Sequence, residues 1–175
     1  FVSRDAMNID GMGPKIVETL INEGLLRDIA DLYNLDVTSL AEVERLGKKS
    51  ANNLMKAIEE SKCSPLYKVV FGLGIRFVGE KVARILIDNY KTMDNLIKAD
   101  FEDLKNIDGI GPKIAESIVN YFKEEDNLQV IEKLYEAGVN MAETKKDDLV
   151  EKLLAGKTFV FTGSIFMPRL EAEQI

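Results

Sequence analysis

Apolar residues along the first 120 positions follow a pattern that repeats four times. Aligned on one glycine, the copies are spaced by 34, 32 and 32 residues, and the shared glycines are Gly13, Gly47, Gly79 and Gly111. Apolar residues stand four positions and one position before each glycine, and again four and seven positions after it. The spacing after the glycine is that of one helix face, so the repeat predicts four helices, each entered through a tight turn.

The first and fourth copies are nearly identical. Residues 8–16 read Asn-Ile-Asp-Gly-Met-Gly-Pro-Lys-Ile, and residues 106–114 differ only by Ile at the Met position. Glycine permits a positive φ and a close backbone approach, and proline is pre-set for the first position of a helix. The product is a helix N-terminus with outward N–H groups, which suits a phosphate.

A lysine follows the shared glycine by two positions in every copy. We predict that phosphate is bound by Gly11, Gly13, Lys15, Gly47, Lys49, Gly79, Lys81, Gly109, Gly111 and Lys113, with Arg45, Lys48 and Arg76 as supporting basic residues. Arg45 and Phe77 replace the first glycine of the second and third copies, so those turns are expected to bind phosphate less well or only to pack. A single copy would favour a structural turn with a solvated lysine, but four copies in register favour phosphate binding.

Connecting segments group the four copies into two pairs. Leu32 precedes Leu40 by eight residues, as Leu96 precedes Leu104, which predicts one short connecting helix within each pair. Pro65 disfavours helix at the residue before it and separates the pairs. Gly24 is expected to end the first long helix, and residues 120–140 to form a closing helix. The predicted domains are residues 1–63 and 64–141, one pair each, followed by a polar linker at 142–152.

Composition and charge bear on whether the chain could bind nucleic acid or zinc. The 175 residues have 46% hydrophobic content and a net charge of −7. The acids concentrate in residues 114–151, which have net charge −6, whereas residues 1–113 are nearly neutral at −2. Nucleic-acid binding would therefore depend on local donors rather than on a bulk positive field. With no histidine and one cysteine, Cys63, we expect no structural zinc site and a reducing cytoplasm.

The repeated pattern resembles the helix-hairpin-helix motif, which binds DNA backbones without sequence preference. Together with residues 1–9, 49–54 and 66–80, it closely resembles the four-hairpin domain of bacterial NAD-dependent DNA ligases. Residues 153–175, which include the β-rich run Thr158-Phe159-Val160-Phe161-Thr162, resemble the start of a BRCT module. The resemblance implies an all-α fold of tandem paired helix-hairpin-helix motifs in four copies, followed by a truncated β-rich BRCT start.

The resemblance also implies a function. The chain would be the C-terminal, DNA-binding portion of a ligase that seals nicks during replication and repair, with the domain lying along the minor groove on both sides of the nick. The parent enzyme would use NAD, magnesium and zinc, act as a monomer, and work in the bacterial cytoplasm at the nucleoid. The fragment itself is expected to bind no cofactor and to be inactive. Its closest match to the adenylated Lys-x-Asp-Gly motif is Lys98-Ala99-Asp100-Phe101, which has phenylalanine in place of the glycine. The start at Phe1, without methionine, also leads us to expect a piece of a longer protein.

Three other interpretations remain open at this stage. Another DNA-processing protein with tandem hairpins, such as an excision nuclease subunit or a junction binder, would share the repeat. A helix-hairpin-helix glycosylase would need a carboxylate in a base-flipping pocket. In a protein-interaction module, the hairpins would only pack and the acidic segment 114–151 would bind a partner.

Overall fold

Helices follow one another through residues 1–43 and 46–143, which are the residues that this computed structural model describes. They are α1 Pro14–Asn22, a 3₁₀ helix Ile29–Asn34, α2 Val37–Glu42, α3 Lys48–Ser61, α4 Leu66–Gly72, α5 Glu80–Tyr90, α6 Met93–Ile97, α7 Phe101–Lys105, α8 Pro112–Lys123 and α9 Glu125–Glu136. Outside the helices, an isolated antiparallel bridge joins Thr92 and Ala142. The all-α prediction is confirmed for these residues. Arg45, most of the expected linker and the BRCT-like start lie outside the described residues.

The four predicted helices begin directly after the four shared glycines, as α1, α3, α5 and α8. The apolar residue before each glycine is buried, and its N–H donates to the carbonyl three residues earlier. We call these four turns with their glycines hairpins 1 to 4. Seven residues after each glycine, the helix places another apolar side chain in the core, namely Leu20, Leu54, Leu86 and Ile118. The buried apolar residues on either side of each turn therefore attach every hairpin to the core, and the shared glycine between them is exposed.

Gly24 ends α1 as the sequence predicts. Its φ is +74°, and its N–H donates to Ile21 O at 3.0 Å. The next N–H, of Leu25, donates to Leu20 O at 2.9 Å. This pair of hydrogen bonds is a Schellman motif, which satisfies the last carbonyls of a helix.

The closing segment differs from the sequence prediction. It forms two helices rather than one, because Glu124 has extended backbone angles of φ −76° and ψ 119°. Asn127 Nδ2 donates to Tyr121 O at 2.9 Å across the break. Polar groups at residues 124–127 thus start a new helix, and the chain turns without a glycine or a proline to mark the place.

The two hairpins of each pair pack against one another's helices. A Cβ placed on Gly11 would lie 3.8 Å from Leu54 Cδ1, in α3 of the second copy. In the second pair, a Cβ on Gly109 would lie 3.0 Å from Ile85 Cδ1, in α5. The Ser117 hydroxyl of α8 donates to Arg76 O in hairpin 3 at 2.7 Å. Each pair is therefore one packed body.

Contacts from α9 also join the two pairs. Helix α9 packs on the 3₁₀ helix, and Lys133 Nζ lies 2.7 Å from Asp28 Oδ2. Burial raises the pKa of Asp28, but hydrogen bonds from Lys133 and Ala30 outweigh this effect and hold it below its usual value. Beyond α9, Asn140 donates from its N–H to Lys62 O at 2.9 Å and from Nδ2 to Ser64 O at 3.2 Å. Residues 1–143 form one compact unit, and the domain limit at 63/64 stays a prediction.

Replacing Gly109 with alanine should destabilise the fold by about 1–2 kcal/mol, because L-residues rarely adopt a positive φ. Gly109 has a φ of +86°, and the added Cβ would stand 3.0 Å from Ile85 Cδ1. Urea unfolding of Gly109→Ala beside Gly111→Ser, two residues away, measures the effect. Only the first variant should lose stability, and equal stability of both variants would disprove the assigned backbone role.

Candidate nucleic-acid interface

Hairpins 1 and 4 contain both glycines of the repeat, and the two glycines have different structural roles. Gly11 and Gly109 come first in their turns and have φ values of +84° and +86°. Each is the third residue of a hydrogen-bonded turn, closed by Met12 N–H to Ile9 O at 3.3 Å and by Ile110 N–H to Ile107 O at 3.0 Å. A positive φ at that place favours glycine. The first glycine is thus required by the fold itself.

The second glycines have no such requirement. Gly13, Gly47, Gly79 and Gly111 precede their helices with φ between −71° and −85° and ψ between 160° and 177°. Any residue adopts this extended conformation. A Cβ added at each of them would meet nothing within 4 Å in the described part of the chain. The fold leaves open space at these four glycines, which directly precede the helix N-termini.

Of the six described helices that do not follow a hairpin glycine, four have a side-chain cap at the N-terminus, and α4 and α9 have none. The 3₁₀ helix, α2, α6 and α7 each have a side-chain cap, from Asp28, Asp36, Thr92 and Asp100 respectively. Hydrogen bonds from Ser39 and Thr38 lower the pKa of the capping Asp36 carboxyl. By contrast, no side chain caps α1, α3, α5 or α8. The first N–H groups of a helix have no intrahelical partner, so these four ends offer hydrogen-bond donors to a ligand.

The four repeated lysines occupy the second position of their helices, and all four are exposed. Each therefore brings a main-chain N–H of the first turn and an ammonium group to the same helix end. None of them forms an ion pair with another described residue. The four lysines are Lys15, Lys49, Lys81 and Lys113. Two of the supporting basic residues, Lys48 and Arg76, are exposed as well, and the third, Arg45, lies outside the described residues.

One acidic side chain stands at the start of a hairpin helix. Glu80 is the first residue of α5, where a carboxylate would repel a phosphate. Arg84 Nη2 lies 2.7 Å from Glu80 Oε1 and 2.6 Å from the Tyr67 hydroxyl, and the guanidinium lies 3.6 Å from the centre of the Tyr67 ring. Arg84 thus offsets the charge of Glu80 and leaves Lys81 and Arg76 as the cations of hairpin 3. Asp10 and Asp108 are also exposed, in the turns of hairpins 1 and 4.

Hairpin 3 keeps the backbone form of hairpins 1 and 4 without its first glycine. Phe77 stands in that position with a φ of +67°. Val78 N–H still donates to Ile75 O at 3.0 Å, and Gly79 still precedes an uncapped helix. The prediction that this hairpin binds phosphate less well remains untested, and its first helical residue, Glu80, has an N–H where Pro14 and Pro112 have none. Sequence reasoning missed the left-handed conformation of Phe77.

The closest match to the adenylated lysine motif, residues 98–101, lies at the start of α7. Its Asp100 carboxylate accepts Asp103 N–H at 2.8 Å and caps that helix. Within residues 1–43 and 46–143, no three His, Cys, Asp or Glu side chains gather where a metal ion could bind. Among the same residues, no helix combines the length and the apolar character that a membrane span requires.

Comparisons with known proteins agree with this architecture. Residues 3–60 match the family described as SAM-like Helix-hairpin-helix tandem, and residues 68–131 match the Helix-hairpin-helix motif family. The chain is similar to proteins named DNA ligase. It is 49% identical over 165 residues to one from Thermoanaerobacter pseudethanolicus and 51% over 166 residues to one from Halothermothrix orenii, covering 94% of the chain and 25% of each relative. It is 47% identical over 179 residues to one from Oceanobacillus iheyensis, covering 100% of the chain and 27% of that relative. The chain thus spans about a quarter of the length of these relatives.

Proposed function

The chain belongs with the helix-hairpin-helix segment of bacterial DNA ligases, and from this premise we propose that it holds nicked duplex DNA by its phosphates for a ligase active site located elsewhere in the parent protein. In this proposal, the four hairpins each grip one stretch of backbone. The parent enzyme seals nicks in replication and repair, and the fragment alone is inactive.

A single observation carries the proposal. Four glycines precede four uncapped helices in a conformation that does not require glycine, with open space where a side chain would stand. A phosphate oxygen could approach those N–H groups only if that space stayed empty. Helix N-termini carry about half a positive charge, and charge-assisted hydrogen bonds to phosphate are stronger than neutral ones. The lysine at the second position of each helix supplies the remaining charge.

The proposed contacts carry no sequence information. Amides and lysine ammonium groups bind phosphate oxygens, which are the same in every sequence, and no base edge need be read. Two hairpins in each packed pair allow both strands to be held at once, along the minor groove on either side of the nick. Holding the two ends in line suits a ligase, because fixed orientation removes much of the entropic barrier to joining them.

The cofactors implied for the parent enzyme do not fit the residues of this chain. Zinc favours cysteine and histidine ligands, and the chain has one cysteine and no histidine. The nearest match to the lysine motif that reacts with NAD lacks its glycine, and its aspartate caps a helix. We therefore assign NAD, magnesium and zinc to other parts of the parent protein. We further propose that the parent protein is a monomer that works in the bacterial cytoplasm at the nucleoid.

Binding to nicked duplex should weaken steeply with salt. If about six phosphates are contacted, the logarithm of the association constant should fall with the logarithm of salt concentration at a slope near −5. Fluorescence anisotropy of a labelled nicked duplex between 50 and 200 mM salt measures the slope, with shuffled duplex sequences as a control for sequence preference. A slope near zero would remove the phosphate contacts from the proposal, and a strong preference for one sequence would contradict readout of the backbone alone.

A further inference from the structure

Hairpin 3 contains an exposed aromatic residue in a position where glycine would fit the backbone better. Phe77 has a φ of +67°, whereas Gly11 and Gly109 hold the equivalent place in hairpins 1 and 4. A bulky residue in this region is a conformational outlier that costs on the order of 1–2 kcal/mol. Nearly half of the residue is buried in return, because it is 54% exposed. This partial burial does no more than offset the conformational cost, and the larger part of the residue stays open to a ligand.

The surroundings of Phe77 indicate what it could contact. Phe77 belongs to the turn that leads to Gly79, two residues further on, which precedes the uncapped helix α5. The Arg76 guanidinium carbon lies 4.8 Å from the ring centre. Ser117 holds the same turn by its 2.7 Å hydrogen bond to Arg76 O. Hairpin 3 thus carries an exposed aromatic residue in the same turn as Gly79, and a hydrogen bond from α8 holds that turn.

We propose that Phe77 packs on a deoxyribose of the strand held by hairpin 3 and makes this hairpin select DNA over RNA at that nucleotide. The inference rests on the proposed phosphate binding. The Arg76 guanidinium lies over the ring, 4.8 Å from its centre, which disfavours insertion of the ring between two bases and favours contact with a sugar. A deoxyribose offers C–H groups at the 2′ position, whereas a ribose would bury a hydroxyl against the ring without a hydrogen-bond partner. Arg76, beside it, can donate to a neighbouring phosphate.

The test replaces Phe77 with glycine in the chain of 175 residues. Because Phe77→Gly matches hairpins 1 and 4, the variant should keep or gain thermal stability. Its affinity for an all-DNA nicked duplex should fall about tenfold, from the loss of roughly half a phenyl ring of buried apolar contact. Phe77→Tyr should retain the affinity, since it keeps the ring. Tyr135→Ala serves as the matched control, because Tyr135 is also an exposed aromatic side chain, 67% exposed, but lies on α9 away from the hairpins.

A ribonucleotide walk locates the contact. A set of nicked duplexes carries a single ribonucleotide at successive positions along each strand. The original chain should bind the duplex with the ribonucleotide at one position about fivefold more weakly than the others. Phe77→Gly should bind that duplex as well as the others, so that the dip in affinity disappears. An unchanged affinity in Phe77→Gly, or a dip that survives in it, would overturn the sugar contact while leaving phosphate binding intact. If the original chain shows no salt-dependent binding to any duplex, the proposed function fails as well.

Discussion

Changing Gly13, Gly47, Gly79 and Gly111 together to serine should lower the affinity for nicked duplex about a thousandfold while the melting temperature stays the same or rises. Serine is among the best residues for the position before a helix, where its hydroxyl accepts a hydrogen bond from the first turn. The fold has room for it, since a Cβ at these positions meets nothing within 4 Å among the described residues. The same Cβ and hydroxyl would occupy the space and the donors proposed for phosphate, and lost charge-assisted bonds at four sites add up to this factor.

The opposite effects on stability and binding make this experiment decisive. Thermal unfolding and fluorescence anisotropy are measured on the same preparations. Gly24→Ala and Gly138→Ala are the matched controls, because these glycines have φ values of +74° and +83° and end helices rather than begin them. The controls should lose stability and keep DNA affinity at temperatures where they are folded. Full affinity in the stable quadruple serine variant would show that the hairpin helices do not bind phosphate through their N-termini.

Neutralising the four repeated lysines should produce the second-largest loss. In a variant with Lys15, Lys49, Lys81 and Lys113 changed to glutamine, four phosphate contacts lose their cation. The slope of the logarithm of affinity against the logarithm of salt concentration should then change by about 3.6, from near −5 to near −1.5. The affinity at 150 mM salt should fall on the order of a thousandfold. The fold should be unaffected, because all four side chains are exposed and none pairs with another described residue.

A second quadruple variant separates local contacts from net charge. Changing the exposed Arg27, Lys91, Lys98 and Lys123 to glutamine alters the total charge equally but changes no hairpin residue. This control should keep a slope near −5 and lose less than tenfold in affinity. Equal losses in the two variants would mean that the overall field of the protein, rather than the hairpins, governs binding.

The repeat could be read from the sequence because its signal is local. Burial of one apolar residue before each glycine, and of another seven residues after it, follows from a single turn and a single helix, so position and period were sufficient to place α1, α3, α5 and α8. The break at Glu124 could not be read in this way. It depends on a backbone angle and a side-chain hydrogen bond from Asn127, and neither has a strong sequence marker.

The different roles of the two glycines in a hairpin could be assigned only from the structure. In the sequence, Gly11 and Gly13 are equivalent small residues, and both suit either a positive φ or a close approach. The structure assigns the positive φ to Gly11 and the open space to Gly13. The positive φ of Phe77 and the hydrogen bonds of Asn140 could not be predicted from the sequence either. The φ of Phe77 is imposed by its turn, and the hydrogen bonds of Asn140 reach Lys62 and Ser64, far away in the sequence.

The most direct test of the phosphate grip is an amide NMR titration of the chain with nicked duplex. The account predicts large downfield proton shifts for the N–H groups of Lys15, Lys49, Lys81 and Lys113, which gain phosphate acceptors. The N–H groups of Ala30, Ser39, Asn95 and Asp103, which already donate to capping side chains, should hardly move. Four lysine amides that stay unchanged at saturating duplex would contradict the account, whichever other residues shift.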